Sequence, residues 1–188
     1  MSVDSLPPIQ KLVCDAMTES TPLLGSLATV DDSGTGRVRM VVIRQFDPQQ
    51  MTISVSTDAR SAKVAQLALR PQAEVCLWFP EPRIALRMLA SWTIFQAGGE
   101  ANQHEARLQR FWDAHSDASK RLFLGPSPGK HYTPTVIDEI PRRFPATFAE
   151  LSGHIEEIDA LKIDHGRHLR WHHRRQKQAA WESIEINP

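Results

Sequence analysis

The sequence predicts a mainly β domain, a barrel of antiparallel strands with a few flanking helices. Three observations carry that expectation. Most apolar residues recur with a period of two, in short runs bounded by Gly, Pro, Asp and Ser. A helical period intrudes in only a few places. There is no GxGxxG and no βαβ rhythm, so a doubly wound sheet is excluded. Closing such strands into a barrel removes exposed edges.

The elements follow in order. Residues 8–20 place Ile9, Leu12, Val13 and Ala16 at helical spacing. "LLGSLATV" (23–30) is a strand, "DDSGTG" a turn, and "RVRMVVIRQF" the second arm of a hairpin. "MTISVST" (51–57) alternates as a third strand. The period then changes: "RSAKVAQLALR" (60–70) is a helix stopped by Pro71. "AEVCLWF" (73–79) and "IALRMLASWTIF" (84–95) are strands, the latter turning Ile84, Leu86, Met88, Ala90, Trp92 and Ile94 to one face. Asn102 and Glu105 resemble a capping box, opening a helix with Leu108, Phe111 and Trp112, and a further helical stretch spans 116–124. Residues 126–145 hold five prolines and form a surface loop. Strands return at 147–156, 158–164, 167–175 and 180–186.

The bulk properties set bounds. A chain of 188 residues fits one domain over 1–188: an N-terminal helix in 1–22, a helical and loop insertion at 100–145 and C-terminal strands in 146–188. Lys+Arg and Asp+Glu both number 22, so no global field draws the chain to nucleic acid or an anionic membrane. Cys14 and Cys76 form no CxxC and read as buried thiols in a reducing compartment, the cytoplasm. The start "MSVDSLPPIQKL" lacks a signal-peptide pattern, and no apolar run is long enough for a membrane helix.

One strand is unusual. In "RVRMVVIR" (37–44) arginines bracket an apolar run, and a buried guanidinium needs a partner. The next strand ends in "STDARSAK", where Ser56, Thr57, Ser61 and Lys63 offer hydroxyl and ammonium donors at a helix start. Together they make a phosphate cradle. The alternative is that the arginines are solvated strand ends and Asp58 caps the helix.

"RMVVIR", "STDARSAK" and "LALRPQAEVCLWFP", with "LATVD" (27–31) before them and Trp181 and Asn187–Pro188 at the end, resemble the FMN-binding split barrels of the pyridoxamine 5′-phosphate oxidase type. The similarity is nearest to the less characterised bacterial branch of that family. The resemblance implies a homodimer with FMN at the subunit interface. It implies that Arg39 and Lys63 hold the FMN phosphate, and that the backbone of Met40, Val41, Val42 and Ile43 lines the isoalloxazine ring. Ser56, Thr57 and Trp181 are further flavin contacts on the same grounds, with Arg60 and Ser61 as lower-ranked phosphate contacts. Arg44 stands where the oxidases keep a lysine facing the substrate, so it is assigned to both flavin and substrate. Arg167 and Arg170, in "GRHLRWHHRRQ", fall in the segment the family uses for substrate.

The sequence departs from the oxidase pattern at Ala62, Ala85 and Glu185, where the family has a basic residue, a glutamine and an arginine. Pyridoxamine phosphate oxidation is therefore the alternative rather than the first reading. The expected function is an FMN-dependent oxidoreductase on an unidentified small molecule, with a non-catalytic flavin store as a further alternative. A flavin-free barrel using its basic C-terminal strands on nucleic acid is the remaining rival. No acid or base is singled out, since a flavin carries its own chemistry. His168 and His172 lack nearby acidic partners except Asp164, and no metal is expected. The other four tryptophans, Trp78, Trp92, Trp112 and Trp171, read as core residues.

Overall fold

A computed structural model describes residues 11, 13, 14, 23–98, 102–176 and 180–188. The helix expected over 8–20 lies mostly outside these; Lys11, Val13 and Cys14 are helical, and Val13 is fully buried in the main core.

Eight strands form one antiparallel sheet in the order β3-β2-β1-β4-β5-β6-β7-β8. They are β1 (Leu23–Val30), β2 (Gly36–Asp47), β3 (Thr52–Asp58), β4 (Gln72–Phe79), β5 (Ile84–Gln96), β6 (Phe148–Lys162), β7 (Leu169–Arg175) and β8 (Trp181–Ile186). A further pairing of β3 with β6 closes the first six into a barrel. The helices are α1 (Ala62–Leu69), α2 (Asn102–Asp113) and α3 (Asp117–Arg121). None among the described residues is long and apolar enough to cross a membrane.

Period-two patterning fills the barrel as expected. On β5, Ile84, Leu86, Met88, Ala90 and Trp92 are buried, with Val75, Leu77 and Phe79 of β4 beside them. At α1, Val64 and Leu67 face the core. A second cluster lies outside the barrel, where Leu108, Phe111 and Trp112 of α2 meet Phe123, Phe144 and Phe148. His115 joins it, edge-on to Phe111, Phe123 and Phe148.

The structure corrects one boundary: 147–156 and 158–164 are a single strand. On β5 Leu89 faces Glu157 and Ala90 faces Ile155, leaving Glu156 as an extra residue. Such a bulge bends a strand without ending it. The bend lets β6 serve two neighbours on one side, β3 against 148–154 and β7 against 157–162. Glu105, the expected capping partner, pairs with Arg143 at 2.9 Å.

Gly153 sits where β6 crosses Trp92. A Cβ there would stand 3.0 Å from the indole ring, which is itself fixed by its N–H donating to the Ala73 carbonyl at 3.1 Å. Gly153→Val is expected to lower the unfolding free energy by about 1–3 kcal/mol through overpacking. The urea midpoint measures this.

Three histidines are held below their ordinary pKa, chiefly by burial: His115, His154 and His173. His173 shares a hydrogen bond at Nδ1 with Ser183 at 2.7 Å, while its buried Nε2 has no partner among the described residues. The unfolded chain takes up protons at these sites below about pH 6.5, where the folded chain does not. Stability is therefore expected to fall as pH drops through about 6.5, and a flat denaturation midpoint between about pH 7.5 and 5.5 would contradict it.

Candidate functional site

The site begins with a failure of pairing. On one side β2 is laddered to β1 from Gly36 to Ile43. On the other, β3 joins it only from Ile43 onward, after a register shift at Arg44. Among the described residues no strand covers that edge of 36–42. Beyond the split, β3 runs through Asp58 into the turn that starts α1. Backbone N–H and C=O groups of Met40, Val41 and Val42 thus border a gap, and such groups seek partners. The side chains alternate across the sheet: Val41 and Ile43 enter the core, while Met40 points outward and is 60% exposed.

Two cations stand at this gap. Arg39 Nη1 donates to the Leu27 carbonyl at 3.0 Å and to Thr29 Oγ1 at 2.5 Å. Its Nη2 donates to Gln66 Oε1 at 2.9 Å, an oxygen that also accepts from Thr29 at 2.6 Å. Lys63 Nζ donates to Thr57 Oγ1 at 2.9 Å and Ser61 Oγ at 3.1 Å. Neither cation has a carboxylate in an ion pair among the described residues. Asp58, the nearby candidate, is held by Arg60 at 2.7 Å. Burial pushes the Lys63 ammonium below its ordinary range, with repulsion from Arg39 adding to it and Asp58 opposing. Burial likewise disfavours the Arg39 guanidinium. Two like charges are held part-buried and mutually repelling, a costly arrangement unless an anion joins them.

The unused donors suit that anion. A guanidinium has five N–H groups and an ammonium three. The bonds above leave two on Arg39 and one on Lys63 without an acceptor among the described residues. Ser61 is the N-cap of α1 but makes no side-chain cap bond; the Val64 N–H donates to the Ser61 carbonyl at 3.0 Å, while the Ala62 and Lys63 amides before it have no protein acceptor among the described residues and remain open to a ligand. The donor set is that of a phosphate site, and the open main chain of β2 alongside it can meet a flat, hydrogen-bonding ring. FMN has both parts.

Arg44 belongs to a second group. Its Nε donates to Ser56 Oγ at 3.3 Å, and Ser56 lies 2.8 Å from His115 Nε2. His115 Nδ1 is 2.6 Å from the Phe111 carbonyl, which can only accept. That fixes the proton of the neutral ring on Nδ1, so Nε2 accepts the Ser56 hydroxyl proton. Burial keeps His115 in this neutral form, and Arg44 and Lys120 add to the effect against the Phe111 carbonyl.

The remaining expected site residues lie in other pairings. Arg60 is bonded to both oxygens of Asp58 and to the Gly125 carbonyl at 2.9 Å, anchoring the loop that follows α3. Arg170 grips Asp159, which Arg87 also reaches at 2.6 Å. Arg167 pairs with Glu185 at 2.5 Å, so that carboxylate is met by a cation. Trp181 packs against the main core from β8. Among the described residues no hydrogen bond or ion pair joins these to Arg39 or Lys63. No group of three His, Cys, Asp or Glu among the described residues could hold a metal.

Sequence reasoning missed Thr29, Gln66 and His115. Gln66 follows Lys63 by three positions and so shares its helix face, a signal that was available. His115 is 59 residues from Ser56, and no local pattern announces that contact.

The chain resembles known proteins in sequence and fold. Residues 7–96 match the family model described as pyridoxamine 5′-phosphate oxidase, FMN-binding domain. A solved pyridoxamine 5′-phosphate oxidase-related, FMN-binding protein from Nostoc punctiforme superposes with a TM-score of 0.86 at 28% identity, covering 98% of this chain and 100% of its own. PhzG from Burkholderia lata shares the fold at 17% identity and a TM-score of 0.71, covering 99% of this chain and 96% of that one. Pyridoxine/pyridoxamine 5′-phosphate oxidase 2 of Arabidopsis thaliana is 28% identical over 103 residues, 55% of this chain. The match spans about half of that relative, 52% of its length. Residues 7–96, just under half of the chain, are thus similar to the pyridoxamine 5′-phosphate oxidase, FMN-binding domain, and the chain has the split-barrel fold.

Proposed function

We propose that the chain binds FMN along the free edge of β2 and acts as a flavin-dependent oxidoreductase on a small molecule. The observation that carries this is the pair Arg39 and Lys63, part-buried, repelling each other and lacking a carboxylate. In this reading Arg39, Lys63, Thr57, Ser61 and the start of α1 hold the phosphate. The main chain of Met40–Ile43 and the Ser56 hydroxyl meet the ring, and Trp181 of a second protomer adds to the pocket. Bound FMN supplies two-electron redox chemistry; the chain supplies orientation and a dry wall. Arg44, beside Ser56 and with no ion-pair partner among the described residues, faces the substrate.

Arg167 and Arg170 enter the substrate site only by leaving Glu185 and Asp159. This favours a substrate other than pyridoxamine phosphate, which remains the second reading because of the Arabidopsis relative. A chain with two cysteines and no CxxC fits a reducing cytoplasm.

A homodimer is part of the proposal. Val38 and Met40 of β2, Leu24 of β1 and Trp78 of β4 are 70%, 60%, 48% and 48% exposed. They share the outer face of three adjacent strands, in register through Met40↔Ser26↔Cys76 and Val42↔Leu24. A contiguous apolar face of this kind marks an interface. Met40→Glu is expected to shift the chain from dimer to monomer in light scattering behind gel filtration; an unchanged mass would move the interface elsewhere.

The purified protein is expected to be yellow with a flavin spectrum. Arg39→Ala should weaken FMN by about 1.5–3 kcal/mol, the worth of a hydrogen bond to a charged group. Fluorescence titration measures it, and unchanged affinity would remove the phosphate from Arg39. Anaerobic reduction of the bound flavin by candidate substrates separates an enzyme from a flavin store.

A further inference from the structure

We propose a second binding site, for a zwitterionic small molecule of the α-amino acid class with an apolar side chain, in the groove between the β2–β3 hairpin and α2. This groove has a volume of about 580 Å³, a size typical of small-ligand sites. It uses none of the cations of the phosphate cradle. Ser54 on its wall precedes Ser56 by two residues on the same face of β3, which puts the two sites about 7 Å apart along the strand.

The floor is rigid and electrically closed. Glu150 is 1% exposed and accepts from Ser54 Oγ at 2.8 Å, from Arg107 Nε at 2.8 Å and from Arg107 Nη2 at 2.6 Å. The Arg107 guanidinium lies 4.1 Å from the centre of the Phe95 ring, which fixes its plane. A buried carboxylate met by a bidentate guanidinium and a hydroxyl needs no further charge.

The walls carry what is left. Asp47, from the hairpin, uses Oδ1 to cap its turn, accepting from Gln49 and Gln50 N–H at 2.8 and 3.0 Å. Its Oδ2 has no partner among the described residues. Arg110, from the helix, has no side-chain hydrogen bond or ion pair among the described residues. Both line the groove, together with Phe46 and Phe111. The lining thus offers one negative and one positive group without an ion-pair partner among the described residues, together with the half-buried Phe46 ring and the edge of the buried Phe111. A net anion or cation would leave one of the two unmatched. A ligand with ammonium, carboxylate and an apolar body matches both.

Isothermal titration calorimetry on the purified full chain tests this, with L-phenylalanine, 3-phenylpropionate, which lacks the ammonium, and 2-phenylethylamine, which lacks the carboxylate. L-phenylalanine is expected to bind saturably, and each analogue about tenfold more weakly, the worth of one charge-assisted hydrogen bond. Asp47→Asn keeps the turn cap through its amide oxygen. It should reduce L-phenylalanine to the level of 3-phenylpropionate and leave that analogue unchanged. Arg110→Gln should reduce L-phenylalanine to the level of 2-phenylethylamine and leave that one unchanged. No saturable heat with L-phenylalanine up to about 10 mM overturns the proposal. So does an equal loss for all three ligands in either variant, because the groove would then not be reading charge.

Discussion

The structure around the site depends on one electrostatic constraint: Arg39 and Lys63 repel each other, and among the described residues neither is ion-paired to a carboxylate. Several other buried and half-buried charges of the chain are neutralised by pairing. Arg107 meets Glu150, Arg170 and Arg87 meet Asp159, and Arg60 meets Asp58. At the split the rule is suspended. Two cations are instead surrounded by hydroxyls and an amide, groups that orient them but cannot cancel them. Such a site is less stable empty than filled, and an anion that binds only the folded chain recovers the difference. The strain is local because β2 has no strand partner there, so the gap beside the two cations also exposes main chain to whatever an anion bound there would be attached to.

Topology supplies the gap. A barrel whose strands all paired along their full lengths would leave no free edge on β2. Here the bulge at Glu156 divides β6 between two neighbours, and β3 is drawn to its N-terminal half. β3 therefore leaves β2 at Ile43, and its continuation through Thr57 and Ser61 carries Lys63 back toward Arg39. The closure of the barrel and the opening of the site are one geometric event. The apolar outer face of β2, β1 and β4 follows from the same arrangement, since helices cover the other end and leave this face bare.

Much of this was legible in the sequence, for physical reasons that differ by element. Strands with one buried face announce themselves by alternation, and β1 to β5 match the expected spans to within a residue or two. The grouping of Thr57, Ser61 and Lys63, with Arg39 nearby, was legible because these residues sit in two short stretches with a recognisable order. β6 was split in two because an inserted residue reverses the alternation at Glu156, and local patterning cannot distinguish a bulge from a turn. The partners of Arg167 and Arg170 were hidden because they lie across the ladder. Asp159 faces His172 in register and reaches diagonally to Arg170, a relation set by pairing rather than by spacing. His115 was hidden for the same reason: a residue beyond the end of α2 meets β3 only after the helix has packed on the barrel.

A neutral chain can still present a charged site. With 22 basic and 22 acidic side chains the whole molecule steers nothing, and at physiological salt a charge is felt over about 8 Å. What matters is how the acids are spent. The C-terminal hairpin, basic in sequence, is made nearly neutral by Asp159, Glu157 and Glu185. The turn before β2 is settled by Asp31, whose carboxyl is held at about 2 by hydrogen bonds from Ser33, the Thr35 backbone and Arg37. Each of these pairings removes a competing positive surface. Arg39, Lys63 and Arg44 thereby become a local positive region through subtraction, on a molecule whose composition gives no hint of one. An anionic cofactor that reaches this face meets the cations at close range, where their effect is least screened, and finds β2 open beside them.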